Sequence, residues 1–290
     1  STAITASLGV DGAKRLCVVA KYEAGNMSLP AQVKQYDWLK DTVTPLASEI
    51  GLSPLPANRS NAVALHLTVS GTEFSHYKYA LTSPSTACSA AVYTPSWILH
   101  STPISEALGA DSNFRLCVIA RDDAENELTT SNAKHYDWTK DTEAHSAGDI
   151  ALTNLPASLS NIDSLNISVS GVDVLSYKFA LTTQAQNCSA ATYSSNWISV
   201  STTISKTLLS DGELRLCVLG RDSAGNGTLA ANAKQFDWTL NTSPVTAVLN
   251  GVPTGRSNAE NVTASVSGSD IANYAYALVT SGSCSAASFG

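Results

Sequence analysis

Charge is scarce in this 290-residue chain. Lys, Arg, Asp and Glu together supply 14% of it, and the formal net charge is −7. No cluster of Lys and Arg appears, which argues against a phosphate-tracking surface and hence against nucleic acid or an anionic membrane as partner. No apolar run approaches the roughly 18 residues that a bilayer-spanning helix requires, so no membrane insertion is expected. Methionine occurs once. The chain opens on Ser without an initiator, signal peptide or anchor, and is expected to be a mature or excised segment. Residues that favour helix surfaces are few. Ser, Thr, Ala and Asn take their place, a composition better suited to sheets.

What the chain does have is regularly placed cysteine. Cys88 precedes Cys117, and Cys188 precedes Cys217, by 29 positions each. No Cys-x-x-Cys or Cys/His spacing of zinc type accompanies them, so the recurrence reads as disulfides formed in an oxidising compartment. Each would close a loop of about 30 residues, worth roughly 3–4 kcal/mol on the chain-entropy model. Cys17 and Cys284 have no neighbour at that spacing, and are expected to bond between modules or between molecules.

The spacing is part of an internal repeat. "KRLCVVAKYEAGN" at 14–26 returns as "FRLCVIARDDAEN" at 114–126 and "LRLCVLGRDSAGN" at 214–226. "VKQYDWLKDT", "AKHYDWTKDT" and "AKQFDWTLNT" come next at the same period, and "CSAAVY", "CSAATY" and "CSAASF" begin at Cys88, Cys188 and Cys284. Breakers cluster after each DT or NT. Boundaries there give complete modules at 43–142 and 143–242, the C-terminal half of a module at 1–42, and the N-terminal half of another at 243–290. Within a module the apolar period is 2: Val63, Leu65, Leu67 and Val69 alternate with polar residues, as do Tyr77, Tyr79 and Leu81. In "FRLCVIAR", Phe114, Leu116, Val118 and Ala120 should share one face, with Cys117 and Ile119 on the other. Short alternating strands with turn signals every 8–12 residues predict antiparallel β-sandwiches and little helix.

The turn "RDSAGN" and the closing "YDWTKDT" resemble the immunoglobulin-like tandem repeats of bacterial surface proteins, such as adhesin stalks and extracellular fibres. The resemblance runs along the whole chain and implies all-β, tandem immunoglobulin-like sandwiches arranged as an extended rod that holds something at a distance. It implies no enzyme. Many modules of that kind lack cysteine, so the staples here are a departure.

Few residues in that framework suggest chemistry. His66, His76, His100, His135 and His145 do not recur one period away, and none stands in a local signature for nucleophilic or acid–base catalysis. No catalytic residue is expected. Asp37, Asp137 and Asp237 recur, as do Asp41 and Asp141 with Asn241 in the third copy, and Asp122 and Asp222 share the "RD-x-A" turn. Carboxylates gathered at a joint can bind calcium, which makes Asp41, Asp141, Asp122 and Asp222 calcium candidates. Turn formation and backbone capping are the plainer use of the same residues. Trp38, Trp138 and Trp238 follow Tyr36, Tyr136 and Phe236 at i+2 on one strand face. Burial is expected for them, as for Trp97 and Trp197, rather than an exposed carbohydrate platform. Seven Asn-x-Ser/Thr sequons, among them Asn58 and Asn226, imply no glycosylation in so Ser-, Thr- and Asn-rich a chain, where several arise by chance.

The halves at 1–42 and 243–290 are complementary pieces of one sandwich. They fit a window of a longer tandem protein, a proteolytic fragment, or a subunit of a head-to-tail polymer. The expectation is an extracellular or cell-surface structural protein whose partners are copies of itself, with Cys17 joined to Cys284 of a neighbour. The alternative is an adhesin module that binds a glycan or receptor through the sandwich-end loops.

Overall fold

The computed structural model describes residues 3–280 and 283–289. The outermost residues of the two terminal segments (1, 2 and 290) and residues 281–282 lie outside the described ones. Every regular element described is a strand or a single 3₁₀ turn, as the two-residue period requires. The chain divides into two compact units. One takes in residues 1–149 together with 173–176 and 220–229; the other holds 150–172, 177–219 and 230–290.

The first unit begins with a hairpin of β1 (Gly12–Val18) and β2 (Lys34–Lys40). Then come β3 (Gly51–Ser53), β4 (Arg59–Ser60), β5 (Ala64–Ser70), β6 (His76–Thr82), β7 (Ile98–Leu99), β8 (Ile104–Ala107), β9 (Ser112–Arg121) and β10 (Lys134–Lys140). These eight strands form a five-stranded sheet, β4-β10-β9-β6-β7, and a three-stranded sheet, β3-β5-β8. Pairing is antiparallel except for the short parallel bridge of β4 on β10. Leu65, Leu67, Val69 and Ile104 from the smaller sheet meet Tyr77, Leu116, Val118, Ala120 and Trp138 from the larger in one buried cluster. That is an immunoglobulin-like β-sandwich.

The same order returns from β11 (Ile150–Thr153), β12 (Leu159–Ser160), β13 (Ser164–Gly171), β14 (Ser176–Thr183), β15 (Ile198–Ser199), β16 (Ile204–Thr207), β17 (Gly212–Arg221) and β18 (Lys234–Leu240): five strands as β12-β18-β17-β14-β15 and three as β11-β13-β16. Leu165, Ile167, Val169, Tyr177, Ile204, Leu216, Val218 and Trp238 are among its buried side chains. In the second unit β19 (Val248–Asn250) then pairs with β20 (Ser265–Ser267).

The central strand presents the two faces expected of it, and both are covered. Leu116 through Ala120 are all buried, on both faces of β9. The outer face is dry because the "CSAA" segment, a 3₁₀ turn at Cys88–Ala90, is bonded onto it: Cys88 and Cys117 form a disulfide, with Cys117 fully buried. Cys188 and Cys217 do the same on β17, packing with Ala180 and Tyr193. One departure arises at a strand end: Val63 lies outside β5 and is exposed. In β6 the alternation holds, with Tyr77, Tyr79 and Leu81 all packed on the core cluster, while Ala80 is buried beside Cys117 on the other face.

Candidate functional site

Two places in the first unit bring recurring polar residues together. One is the turn after each central strand. Asp222 is buried, and its carboxylate accepts from the backbone N–H groups of Gly225 and Asn226, at 2.7 and 2.8 Å, and from Asn226 Nδ2 at 2.9 Å. Held in this way, Asn226 Nδ2 also donates to the carbonyl oxygen of Asp141 at 2.9 Å. One period earlier Asn126 is fixed by Asp122 and donates to the carbonyl of Asp41. The side chain of Asp therefore does what an Asx turn does, pre-shaping a loop, and the loop's Asn reaches the carbonyl that ends a strand one period back.

Beside that turn Asp141, Asp173 and Asp222 bring carboxylate oxygens within 4.8 Å of one another. The charge is met by Arg59, whose Nη2 lies 3.0 Å from Asp141 and whose Nη1 lies 2.8 Å from Asp173. Asp173 sits at φ 58°, a left-handed turn position that Asp tolerates. Calcium requires six to eight oxygen ligands. Here two of the three carboxylates are paired with a guanidinium and the third is consumed by N–H donors. As they stand, these carboxylates serve arginine and N–H donors. Among the other calcium candidates, Asp41 and Asp122 line one depression with Leu39, Glu73 and Phe74, and the Asp41 carboxylate accepts from Val43 N–H.

Asp37, Asp137 and Asp237 correct the expectation of joint or turn chemistry, because they lie mid-strand. Each receives a two-pronged pair from the residue opposite, Arg15, Arg115 or Arg215, at 2.6–2.9 Å. The guanidinium holds each carboxyl below the usual range. The co-recurrence of "RLC" with "DW" is the signal that could have found them. Asp11 and Asp111 serve the strand exits. Each accepts from Lys40 or Lys140 at 2.7 Å and from the backbone of Thr42 or Thr142, which lowers the Asp11 carboxyl to about 2.

The second place is the β1–β2 hairpin. Its register is that of β9–β10: Leu16 faces Tyr36, and Cys17 faces Gln35, as Leu116 faces Tyr136 and Cys117 faces His135. Its environment is not the same. Leu116 and Val118 are wholly buried; Leu16 is 37% exposed, Val18 36%, Tyr36 69% and Leu39 69%. Cys17 and Cys284 are free thiols, both exposed. Among the described residues no third strand joins either edge of the hairpin. The β19–β20 pair is its counterpart in kind. Val248 faces Ser267 as Gly51 faces Ser70, a shift of 197 at both positions, and a 3₁₀ turn at Cys284–Ala286 repeats that at Cys88–Ala90.

The remaining aromatic residues divide by cover. Trp138 and Trp238 are buried, while Trp38 on the hairpin is half-buried. Trp97 is half-buried too, with Lys78 Nζ 5.1 Å and the Arg121 guanidinium 4.8 Å from its ring centre, and Lys178 stands over Trp197. Cations on the ring face take the surface that a stacking sugar would use. Of the histidines, His66 and His135 are exposed, and His76 bonds Ser75 Oγ.

No family model matches the chain, and no curated protein matches it. Solved structures similar to it include the fibronectin(III)-like modules of CbhA from Clostridium thermocellum. There identity is 9% over 66% of this chain and 93% of that one, with a TM-score of 0.37. A tetra-tandem repeat from the extending region of a large adhesion protein is 15% identical over 89% of this chain and 71% of its own, with a TM-score of 0.30. A Ca2+-stabilized adhesin with which an Antarctic bacterium binds ice is 15% identical over 83% and 60%, with a TM-score of 0.32. The fold assignment stands on the strand pairing itself.

Proposed function

We propose that this chain is a structural repeat of the extracellular space, part of a fibre or stalk, in which the 12–40 hairpin of one copy is completed by residues 248–289 of another. The carrying observation is a face that is buried in β9–β10 and open in β1–β2 at identical register. Fully burying an exposed Leu, Val or Phe side chain is worth roughly 1.5–3 kcal/mol; the partly covered Leu16 and Val18 would gain a fraction of that, and a lone hairpin is marginal in water. A segment built like β5, β6 and the "CSAA" turn is what covers that face in β9–β10. Residues 248–289 repeat its sequence, with β20 at the place of the end of β5 and the Cys284–Ala286 turn at that of Cys88–Ala90. On this view 43–142 and 143–242 are complete modules in series and supply length. The staples supply resistance to extension and proteolysis, and Cys17 bonds Cys284 of the neighbour, as an oxidising compartment permits.

Oxidising the purified chain and mapping its disulfides by mass spectrometry tests this. The expected result is a ladder on a non-reducing gel whose bands contain the Cys17–Cys284 peptide. A Cys17 that stays alkylatable in assembled material overturns it.

A further inference from the structure

If copies join in this way, a residue must select the register, and the structure carries a pattern for it. Arg59 stands in "PANRSN" and reaches Asp141, the residue that closes the neighbouring strand, and Asp173. The backbone around it is equally specific: Thr139 N–H donates to Asn58 O, and Asp141 N–H to Ser60 O, which lays β4 along β10. One period on, the motif reads "PASLSN". Leu159 replaces the arginine, and the position of Asp141 is taken by Asn241. Both lie, with Asp270, around one depression of the second unit, and the backbone bonds of Thr239 and Asn241 to Ser158 and Ser160 persist. The cation and the carboxylate at the strand end thus change together, while Asp270, at the place of Asp173, and the strand pairing stay.

The motif occurs a third time as "PTGRSN", with Arg256 exposed. Counting by the shift of 197 that aligns β19–β20 with β3–β5 puts Arg256 at the place of Arg59, Ser257 at that of Ser60 and Pro253 at that of Pro56. The carboxylates that match Asp141 and Asp173 one period back are Asp41 and Glu73. They line one depression of the first unit, with Asp122 opposite and no basic side chain on its wall. Tyr36, exposed on the hairpin, corresponds to Tyr136, whose hydroxyl donates to Pro56 O at 2.6 Å.

We propose that this depression is the seat of Arg256 from a second copy of the chain, and that the Arg256–Asp41–Glu73 pairing sets the register of head-to-tail joining. In the joined state Arg256 would take the geometry Arg59 has, Ser257 would lie along the outer edge of β2, and the Tyr36 hydroxyl would donate to the Pro253 carbonyl. The proposal rests on the assembly reading above and adds to it a specificity-determining ion pair. It also explains why the motif keeps its arginine at 59 and 256 and loses it at 159, opposite Asn241.

The test is the rate of Cys17–Cys284 cross-linking in the full chain, with R256E, E73R, the double variant E73R/R256E, and R59E as an internal control. Like charges facing each other across an interface cost several kcal/mol and slow encounter. R256E and E73R are each expected to slow cross-linking by at least about 10-fold. The double variant is expected to return to within roughly 3-fold of the parent, and added salt to slow the parent but not R256L. Near-ultraviolet circular dichroism of the reduced monomers establishes that the sandwiches remain folded. Cross-linking of R256E at the parent's rate, or no recovery in the double variant, overturns the ion-pair assignment while leaving assembly intact. Absence of the Cys17–Cys284 bond in the parent overturns assembly itself, and the pairing with it.

Discussion

The hairpins 12–40 and 112–140 are built alike. They share the "RLC" and "YDW" phrases, the same register, and the same Arg–Asp pair. They differ in burial. The Arg side chain is 58% exposed in the first and 19% in the second, and Leu16 and Leu116 stand at 37% and 0%. Strand pairing is therefore a local property of these phrases, whereas the core is not. It arises when β5 and β8 close over one face and β6 with its stapled turn extends the sheet and covers the other. Recurring sequence gives recurring hairpins, and only those with a first half beside them become sandwiches.

The sharpest way to probe that contrast is to delete the same methyl groups in both hairpins. Leu116→Ala is expected to destabilise the first sandwich by about 4 kcal/mol, because a fully buried leucine leaves a cavity in a close-packed core. Leu16→Ala in the unassembled chain should change stability by less than about 0.5 kcal/mol, the usual range for exposed sites. Urea unfolding followed by tryptophan fluorescence measures both. Equal effects would mean that the hairpin face is covered in solution.

A second contrast concerns the staple. Replacing Cys88 and Cys117 together by Ala should cost the first sandwich roughly 3 kcal/mol, through the freedom returned to the unfolded loop and the loss of cover over β9. Replacing Cys17 by Ala should leave the melting of the monomer unchanged. Differential scanning calorimetry of the two variants decides it, and a large effect at Cys17 would contradict its description as a free, exposed thiol.

Much of this was legible in the residues. The period of 100 residues, the two-residue alternation and the cysteine spacing led to sandwiches and to pairing at 29 positions, since strands and turns are specified by near neighbours. The joint was not legible in the same way. Arg59 does not recur at 159, and Asp173 sits in a turn where Asp is an ordinary residue, so neither stood out one residue at a time. They meet because β4 lies along β10, which sets Arg59 beside Asp141, and the turn at Asp173 brings a second carboxylate to the same guanidinium. The role of the Asp in "YDW" was hidden for a related reason. Its partner lies 22 residues earlier on the adjacent strand, a distance that only register supplies.

The smallest contrast lies within the turns themselves. The fourth residue of "YEAGN", "DDAEN" and "DSAGN" has positive φ in all three: Gly25 at 96°, Glu125 at 69° and Gly225 at 100°. A side chain in that region costs about 1–2 kcal/mol relative to glycine, and Glu125 gains little in exchange. Its contact to Arg121 is 3.9 Å, with the carboxylate 79% exposed, and such surface pairs contribute about 0–1 kcal/mol. The Glu125 N–H bonds the Asp122 backbone carbonyl at 3.3 Å, where Gly225 N–H reaches the Asp222 carboxylate at 2.7 Å. Glycine at 125 also gives the unfolded chain more freedom, which takes back roughly 0.5–1 kcal/mol. Glu125→Gly should therefore stabilise the first sandwich by about 0.5 kcal/mol, and Gly225→Glu should destabilise its own turn by about 1 kcal/mol. Both are read as shifts in urea midpoint at constant slope. A Glu125→Gly variant less stable than its parent would show that the Arg121 contact outweighs the backbone strain.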